Sequence, residues 1–322
     1  MQNTRMMVPL YVLSAFCVLA VALARAQDFP TRPITLIVPN SPGTSHDLVA
    51  RIIAPDMSKL IGQSIVVENK PGAAETIGYA YVAKQAPANG YTLVLALPAN
   101  LATLPLTIKG LSFDPLKDLP PVIGLVEGRY IFGLSSQLPW KTFKELVDHA
   151  KANPGKLNWG TSSPLSRLTT EALLRDLGLE VVFIPYGGGG PYIQALVAGQ
   201  IQMGFVGEAA VAGLGDKFRV LALTGAQRSA RFPEAPTFIE LGRPQIQGLT
   251  FSLNTAVGVP RPALDKLHSV ASRALRQPEV RASFSKILFD VVEQAPEAAA
   301  KSLAEQARLF SEIAKKSGIQ PE

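Results

Sequence analysis

Three short stretches of this sequence concentrate groups able to donate hydrogen bonds to an anion. The first is Pro39-Asn40-Ser41-Pro42-Gly43-Thr44-Ser45-His46-Asp47. The second is Gly160-Thr161-Ser162-Ser163-Pro164-Leu165-Ser166-Arg167, and the third is Pro185-Tyr186-Gly187-Gly188-Gly189-Gly190. Each follows an apolar or β-branched run and precedes an amphipathic one, so each reads as a loop from a strand end to a helix start. Such a loop presents unpaired backbone N–H groups and the positive end of a helix dipole, which suits a negatively charged guest. In the first loop Gly43 allows close backbone approach, while Asn40, Ser41, Thr44, Ser45 and His46 supply polar side chains. In the second, the hydroxyls of Thr161, Ser162, Ser163 and Ser166 stand beside Arg167, whose guanidinium can hold a carboxylate through two parallel hydrogen bonds. In the third, Gly187 permits close approach and Tyr186 offers a ring and a hydroxyl. Asn100, Arg129 and Glu208 are further candidates on the same strand-end logic. Each feature has a plainer reading: a serine capping its helix, a solvated arginine, a flexible glycine turn.

Bond-making chemistry finds no comparable support. There is no G-x-x-x-x-G-K-[ST], no G-x-S-x-G and no H-E-x-x-H. Ser45-His46-Asp47 cannot form a triad, because adjacent residues do not stack into a nucleophile–base–orienter geometry. His46, His149 and His268 have no zinc-ligand spacing. The four-glycine run lacks the spacing of a dinucleotide fingerprint. The sequence therefore predicts no catalytic residue, no cofactor and no metal, and a binding function gains weight by elimination.

The elements that must position these loops follow a βαβα rhythm. Strands are expected at Ile34–Val38, Ser64–Glu68 and Tyr91–Leu97, with helices over Asp47–Leu60, where Pro55 introduces a kink, and over Glu75–Gln85. Further strands are expected at Ile131–Ser135, Lys156–Trp159, Val181–Ile184, Gln202–Val206 and Arg219–Thr224. Thr142-Phe-Lys-Glu145 reads as a capping box, and a helix follows Ser166 as far as Asp176. After Leu249–Val259 come three helical segments broken by Pro262, Pro278 and Pro296. The last carries an apolar stripe of Leu303, Ala307, Phe310 and Ala314, and Gly318 stops it. This pattern predicts a mostly parallel sheet with helices on both faces.

Length and composition fit two globular domains. Arg5, the apolar run Val8–Ala24 and the small-x-small site Ala24-Arg25-Ala26 have the order of a cleavable secretory signal over residues 1–26. Cys17, the single cysteine, falls inside that segment. Loss of Arg5 and Arg25 lowers the net charge from +6 to +4. The remaining basic excess is dispersed and does not describe a nucleic-acid face.

The ordered motifs resemble the Bug-type extracytoplasmic receptors of tripartite tricarboxylate transporters. They are Phe29-Pro-Thr-Arg-Pro-Ile-Thr-Leu-Ile-Val-Pro39, Val66-Val-Glu-Asn-Lys-Pro-Gly72, Ile77-Gly78, Ala86-Pro87 and Asn89-Gly-Tyr-Thr-Leu93. Ala150-Lys-Ala-Asn-Pro-Gly-Lys-Leu-Asn158, Pro185-Tyr186, Ala198-Gly-Gln-Ile201, Arg219–Thr224, Pro236-Thr237 and Pro278-Glu-Val-Arg281 follow in order. The resemblance implies an α/β, type II periplasmic-binding-protein fold, two domains closing on a cleft like a Venus flytrap. It places one domain in residues 27–125 with 250–322 and the other in 126–249. It also implies a periplasmic location, a small carboxylate ligand, a membrane permease as partner, and a monomer that is not inserted in the membrane after signal cleavage. Two loops depart from the family pattern, which is richer in glycine in the first and ends in histidine in the second. Arg167 at that second position leads to the expectation of a dicarboxylate, with a flat aromatic one such as terephthalate among those that would fit. A receptor feeding a membrane signalling kinase would need the same cleft, and a secreted hydrolase is the alternative from another class.

Overall fold

Apolar β-branched runs flanked by turn residues place the central strands of the larger sheet. The computed structural model describes residues 29–321 except 212, 226, 244, 245 and 247. The expected signal segment and Cys17 lie outside the described residues. Strand β1 (Ile34–Val38) leads through the first donor-rich loop into helix α1 (Ser45–Ile61), which is continuous through Pro55 and ends at left-handed Gly62. Strand β2 (Ile65–Asn69) is followed by a tight 3₁₀ turn at Ala73–Glu75 and by helix α2 (Thr76–Ala80), which widens into a π-helical turn over Tyr81–Gln85. Strand β3 (Thr92–Ala96) runs directly into helix α3 (Pro98–Thr107), and β4 (Pro121–Gly128) precedes the crossing to the second sheet.

That second region contains β5 (Tyr130–Ser135), α4 (Phe143–Ala152), β6 (Asn158–Thr161), α5 (Pro164–Asp176), β7 (Val182–Pro185) and α6 (Gly189–Val197). It continues with β8 (Gly204–Gly207), the single turn α7 (Glu208–Val211) and β9 (Phe218–Leu223). The chain then returns as β10 (Leu249–Thr255), α8 (Arg261–Leu275), α9 (Pro278–Lys286), β11 (Phe289–Gln294) and α10 (Pro296–Ser317).

The larger sheet has the order β11-β4-β10-β3-β1-β2. Strand β1 pairs in parallel with β2 and β3, whereas β10 is antiparallel to both β3 and β4, and β11 is antiparallel to β4. The sheet is therefore mixed, not mostly parallel. The first three strands are joined by helical crossovers and must run the same way, while β10 enters from the other sheet and runs against β3. The second region holds an antiparallel β8-β5-β9 sheet and a parallel β6-β7 pair, linked through a Trp159–Met203 bridge.

Leu36, Ile37, Val94, Leu95 and Ile123 are fully buried in the larger sheet, as strands covered on both faces require. Trp159, Phe132, Phe205 and Phe238 fill the second region. Each large side chain removed from water contributes roughly 1.5–3 kcal/mol. Helix α10 packs against α3 and also against α5, so the C-terminal helix touches both regions. A single residue, Arg129, separates β4 from β5, which makes the outward crossing short.

Candidate functional site

All three donor-rich loops end beside one another, because β1, β6 and β7 each run from the sheet into a helix at the same cleft. The first loop contributes Asn40, Thr44, Ser45 and His46 to the lining. The second contributes Thr161, Ser162 and Ser163, and the third contributes Gly189 at the start of α6. Tyr130, Tyr192, Phe205 and Phe251 form much of the apolar wall. About 500 Å³ of space lies between these residues, part of it open to solvent. The N-termini of α1, α5 and α6 all open at this lining, and their dipoles favour negative charge, although at α5 Pro164 has no N–H and the Leu165 and Ser166 N–H groups are already bonded to Asn100 and Ser163.

Glu75 is the residue the sequence reading passed over. Its carboxylate lines the same cleft and is 3 % exposed. Asn40 Nδ2 donates to its Oε1 at 3.0 Å, and Asn100 Nδ2 and the Tyr79 hydroxyl donate to its Oε2 at 2.6 and 3.1 Å. Burial pushes the Glu75 pKa up to about 7, although the hydrogen bonds from Asn100, Tyr79 and Asn40 oppose that rise. The backbone holding it is strained, with φ of 45° at Ala73, 53° at Ala74 and 73° at Glu75. Left-handed conformations at non-glycine residues cost about 1–2 kcal/mol each. Gly78 makes the placement possible, since a Cβ there would come within 2.7 Å of the Pro39 side chain. The signal available in the sequence was an acid in a strand-end loop, Pro71-Gly72-Ala73-Ala74-Glu75, directly after β2.

His46 sits at the start of α1, edge-on to the Phe251 ring at 4.9 Å between centroids. Its Nε2 is 3.7 Å from Glu75 Oε1 and has no hydrogen-bond partner among the described residues. Burial lowers its pKa to about 3, so the ring is neutral at ordinary pH. Asp47 faces the other way. Burial raises its carboxyl, but hydrogen bonds from Arg51, the Gly43 N–H and Asn69 outweigh that and leave its pKa lowered.

Two asparagines carry hydrogen bonds across the cleft. Because the Asn40 amide nitrogen is bound to Glu75, its Oδ1 faces the opposite wall and accepts from the Gly189 N–H at 3.2 Å. Asn100 is bound in the same way, and its Oδ1 accepts from Ser163 Oγ at 2.8 Å and from the Leu165 N–H at 3.1 Å. Ser163 Oγ also caps α5 by accepting from the Ser166 N–H. Burial lifts the Tyr130 phenol to about 12, against the lowering effect of the neighbouring Ser166 and Ser163 hydroxyls.

The remaining predicted residues lie outside the lining. Ser41 lies at the edge of the cleft near Gly188 and Gly190, and left-handed Gly43 turns its N–H to Asp47. Asn100 and Ser166 are fully buried behind the lining. Tyr186 stacks edge-on to Tyr192, and Gly187 faces open space. Arg167 does not reach the cleft. Its Nε donates to Glu171 Oε1 at 3.0 Å, its Nη1 to the Thr107 carbonyl at 3.4 Å, and its guanidinium covers the Phe183 ring at 5.0 Å. The arginine that suggested a second carboxylate is thus directed into the packing between α3, α5 and β7. Arg129 and Glu208 form an ion pair at 3.5 Å, and Arg129 lines a separate polar cavity with Glu127, Thr224, Asp290 and Gln306. Glu208 also accepts from the Ser229 hydroxyl.

Comparison with known proteins gives this cleft a context. The sequence model described as "Tripartite tricarboxylate transporter family receptor" matches residues 49–319. A relative from Cupriavidus necator, described as "UPF0065 protein in gbd 5'region", is 38 % identical over 277 residues, 84 % of this chain and 82 % of that one. Among solved structures, Rpa4515 of R. palustris with adipate superposes with a TM-score of 0.85 at 28 % identity, covering 92 % of this chain and 100 % of that one. MatC from Rhodopseudomonas palustris with bound malate gives 0.82 at 29 % identity, covering 89 % and 100 %. These neighbours share the two-domain α/β architecture of periplasmic binding proteins. No helix among the described residues is long and apolar enough to cross a membrane. The chain therefore belongs to the tripartite tricarboxylate transporter receptor family, whose members are periplasmic solute-binding proteins and not enzymes.

Proposed function

We propose that this chain captures a small carboxylate by closing residues 126–249 onto residues 27–125 and 250–322, and delivers it as a monomer to a membrane permease. Cleavage after Ala26 releases it into the periplasm. The observation that carries this reading is the convergence of the α1, α5 and α6 dipoles and the hydroxyls of Ser45, Thr161 and Ser162 on one cleft. Such a donor set holds a carboxylate without any cationic side chain. The adipate and malate bound by the two structural neighbours support an aliphatic dicarboxylate within this class. The aromatic diacid expected from Arg167 has lost the residue that motivated it, since that guanidinium is bound to Glu171 and Thr107.

A thermal-shift screen of the Gln27–Glu322 protein against mono-, di- and tricarboxylates tests the reading. A ligand should raise the unfolding midpoint with concentration, by about 2.7 kcal/mol of added stability at one hundred times its Kd. A midpoint unmoved by every acid would sink the proposal.

A further inference from the structure

Of the ionisable groups among the described residues that line the cleft, the one that takes up charge near neutral pH is Glu75, and that charge is negative. No lysine or arginine appears among the described residues that line it, whereas Glu75 does. A carboxylate guest beside this buried carboxyl either keeps the proton on Glu75 or brings its own positive charge to balance the carboxylate. The positions of two acceptors show where that charge belongs. Glu75 and His46 both line the cleft, their Oε1 and Nε2 atoms lie 3.7 Å apart, and the buried imidazole nitrogen has no partner among the described residues. A nitrogen about 2.9 Å from each can donate to both, and an ammonium has donors to spare. His46 is 7 % exposed, so its unpartnered nitrogen is enclosed at the site.

We propose that the ligand carries a protonated amine together with its carboxylate, the amine seated between Glu75 and His46 and the carboxylate at the Thr161 and Ser162 hydroxyls and the start of α6. This rests on the receptor reading above and narrows its ligand class to amino acids and related zwitterions. The neutral state of His46 fits it, because a neutral imidazole with its lone pair on Nε2 accepts from an ammonium. The strained turn that carries Glu75 fits it too, since strain of this kind is retained where a side chain must be held in place. With Glu75 titrating near pH 7, seating a cation beside it expels the proton it holds part of the time. Binding at pH 7 should then release about half a proton per ligand.

The test is calorimetric titration of the Gln27–Glu322 protein with pairs that differ only in the amine: aspartate and succinate, glutamate and glutarate, 4-aminobutyrate and butyrate. The expected result is one aminated acid binding at least tenfold tighter than its partner. Its apparent enthalpy should vary with the ionisation enthalpy of the buffer, as proton release demands. Glu75→Gln should abolish the preference for the amine. The wild-type comparison stands by itself if that variant folds poorly. Equal or tighter binding of the amine-free partner would overturn this inference and leave the carboxylate receptor intact. Binding of no acid from either set, within a screen where all other carboxylates also fail, would overturn both.

Discussion

Glu75 and His46 are displaced from their ordinary titration ranges in opposite directions, the first from 4.5 up to about 7 and the second from 6.5 down to about 3. Between pH 4.5 and 7 the unfolded chain has lost the Glu75 proton while the folded chain keeps it, so this group makes stability fall as pH rises. Between pH 3 and 6.5 the unfolded chain carries a proton on His46 that the folded chain does not, so that group makes stability rise. The two slopes oppose each other from pH 4.5 to 6.5. Removing one should expose the other. We expect the stability of Glu75→Gln relative to wild type to increase by about 1.4 kcal/mol per pH unit across that window. Urea unfolding of both proteins at pH 4.5, 5.5 and 6.5 measures it, and a constant difference would contradict the buried, raised carboxyl. At this scale the sequence was only partly legible. The donor loops could be read from local spacing, but Glu75 is made special by Asn40 and Asn100, which lie 35 and 25 residues away. Arg167 shows the converse, because Glu171 four residues on along α5 was a visible competitor for its guanidinium.

Helix α6 comes to the cleft only because Gly189 has no side chain. A Cβ there would lie 2.7 Å from Asn40 Oδ1 and 2.9 Å from Thr44 Cγ2. Gly189→Ala should push the α6 N-terminus off Asn40 and weaken any ligand at least tenfold, about 1.4 kcal/mol. Its unfolding midpoint should stay near wild type, because the clash lies between the domains and not in either core. Calorimetric titration with the ligand found by screening checks it, and unchanged affinity would show that α6 does not form part of the site. Thr142→Ala provides the contrasting case. It removes the hydroxyl that accepts from the Glu145 N–H at the start of α4, a loss of about 1 kcal/mol of stability. Ligand affinity should not change, which urea melts and titration together can verify. Elements with strong local signals were legible: β1, β3, the Thr142 cap and the stripe of α10 ending at Gly318. Helix α3 was hidden by Pro98 and Pro105, and β11 by a half-exposed sequence that lacks clean alternation.

The whole molecule joins its two halves by the short passage through Arg129, by the return into β10, by Asn40 and Asn100 across the cleft, and by α10 leaning on both α3 and α5. Closure on a ligand requires the first two to bend and the asparagine bonds to form or remain. Small-angle scattering should therefore report a smaller radius of gyration with saturating ligand than without it, and an unchanged radius would mean that binding occurs without domain movement. The two-domain plan was legible from rhythm and ordered motifs. The mixed character of the larger sheet was not, because strand direction is set by which edge the returning chain enters, and no local residue records that. The position of β10 between β3 and β4 has a consequence for how the protein is made. A chain emerging from the ribosome displays β1, β2, β3 and β4 long before residue 249, yet the middle of their sheet stays vacant until Leu249–Thr255 arrives. The larger sheet cannot be completed until β10 has emerged, and its assembly waits on contacts distant in sequence. Late completion keeps the nascent polypeptide threadable, which suits the export through a membrane pore proposed for it above.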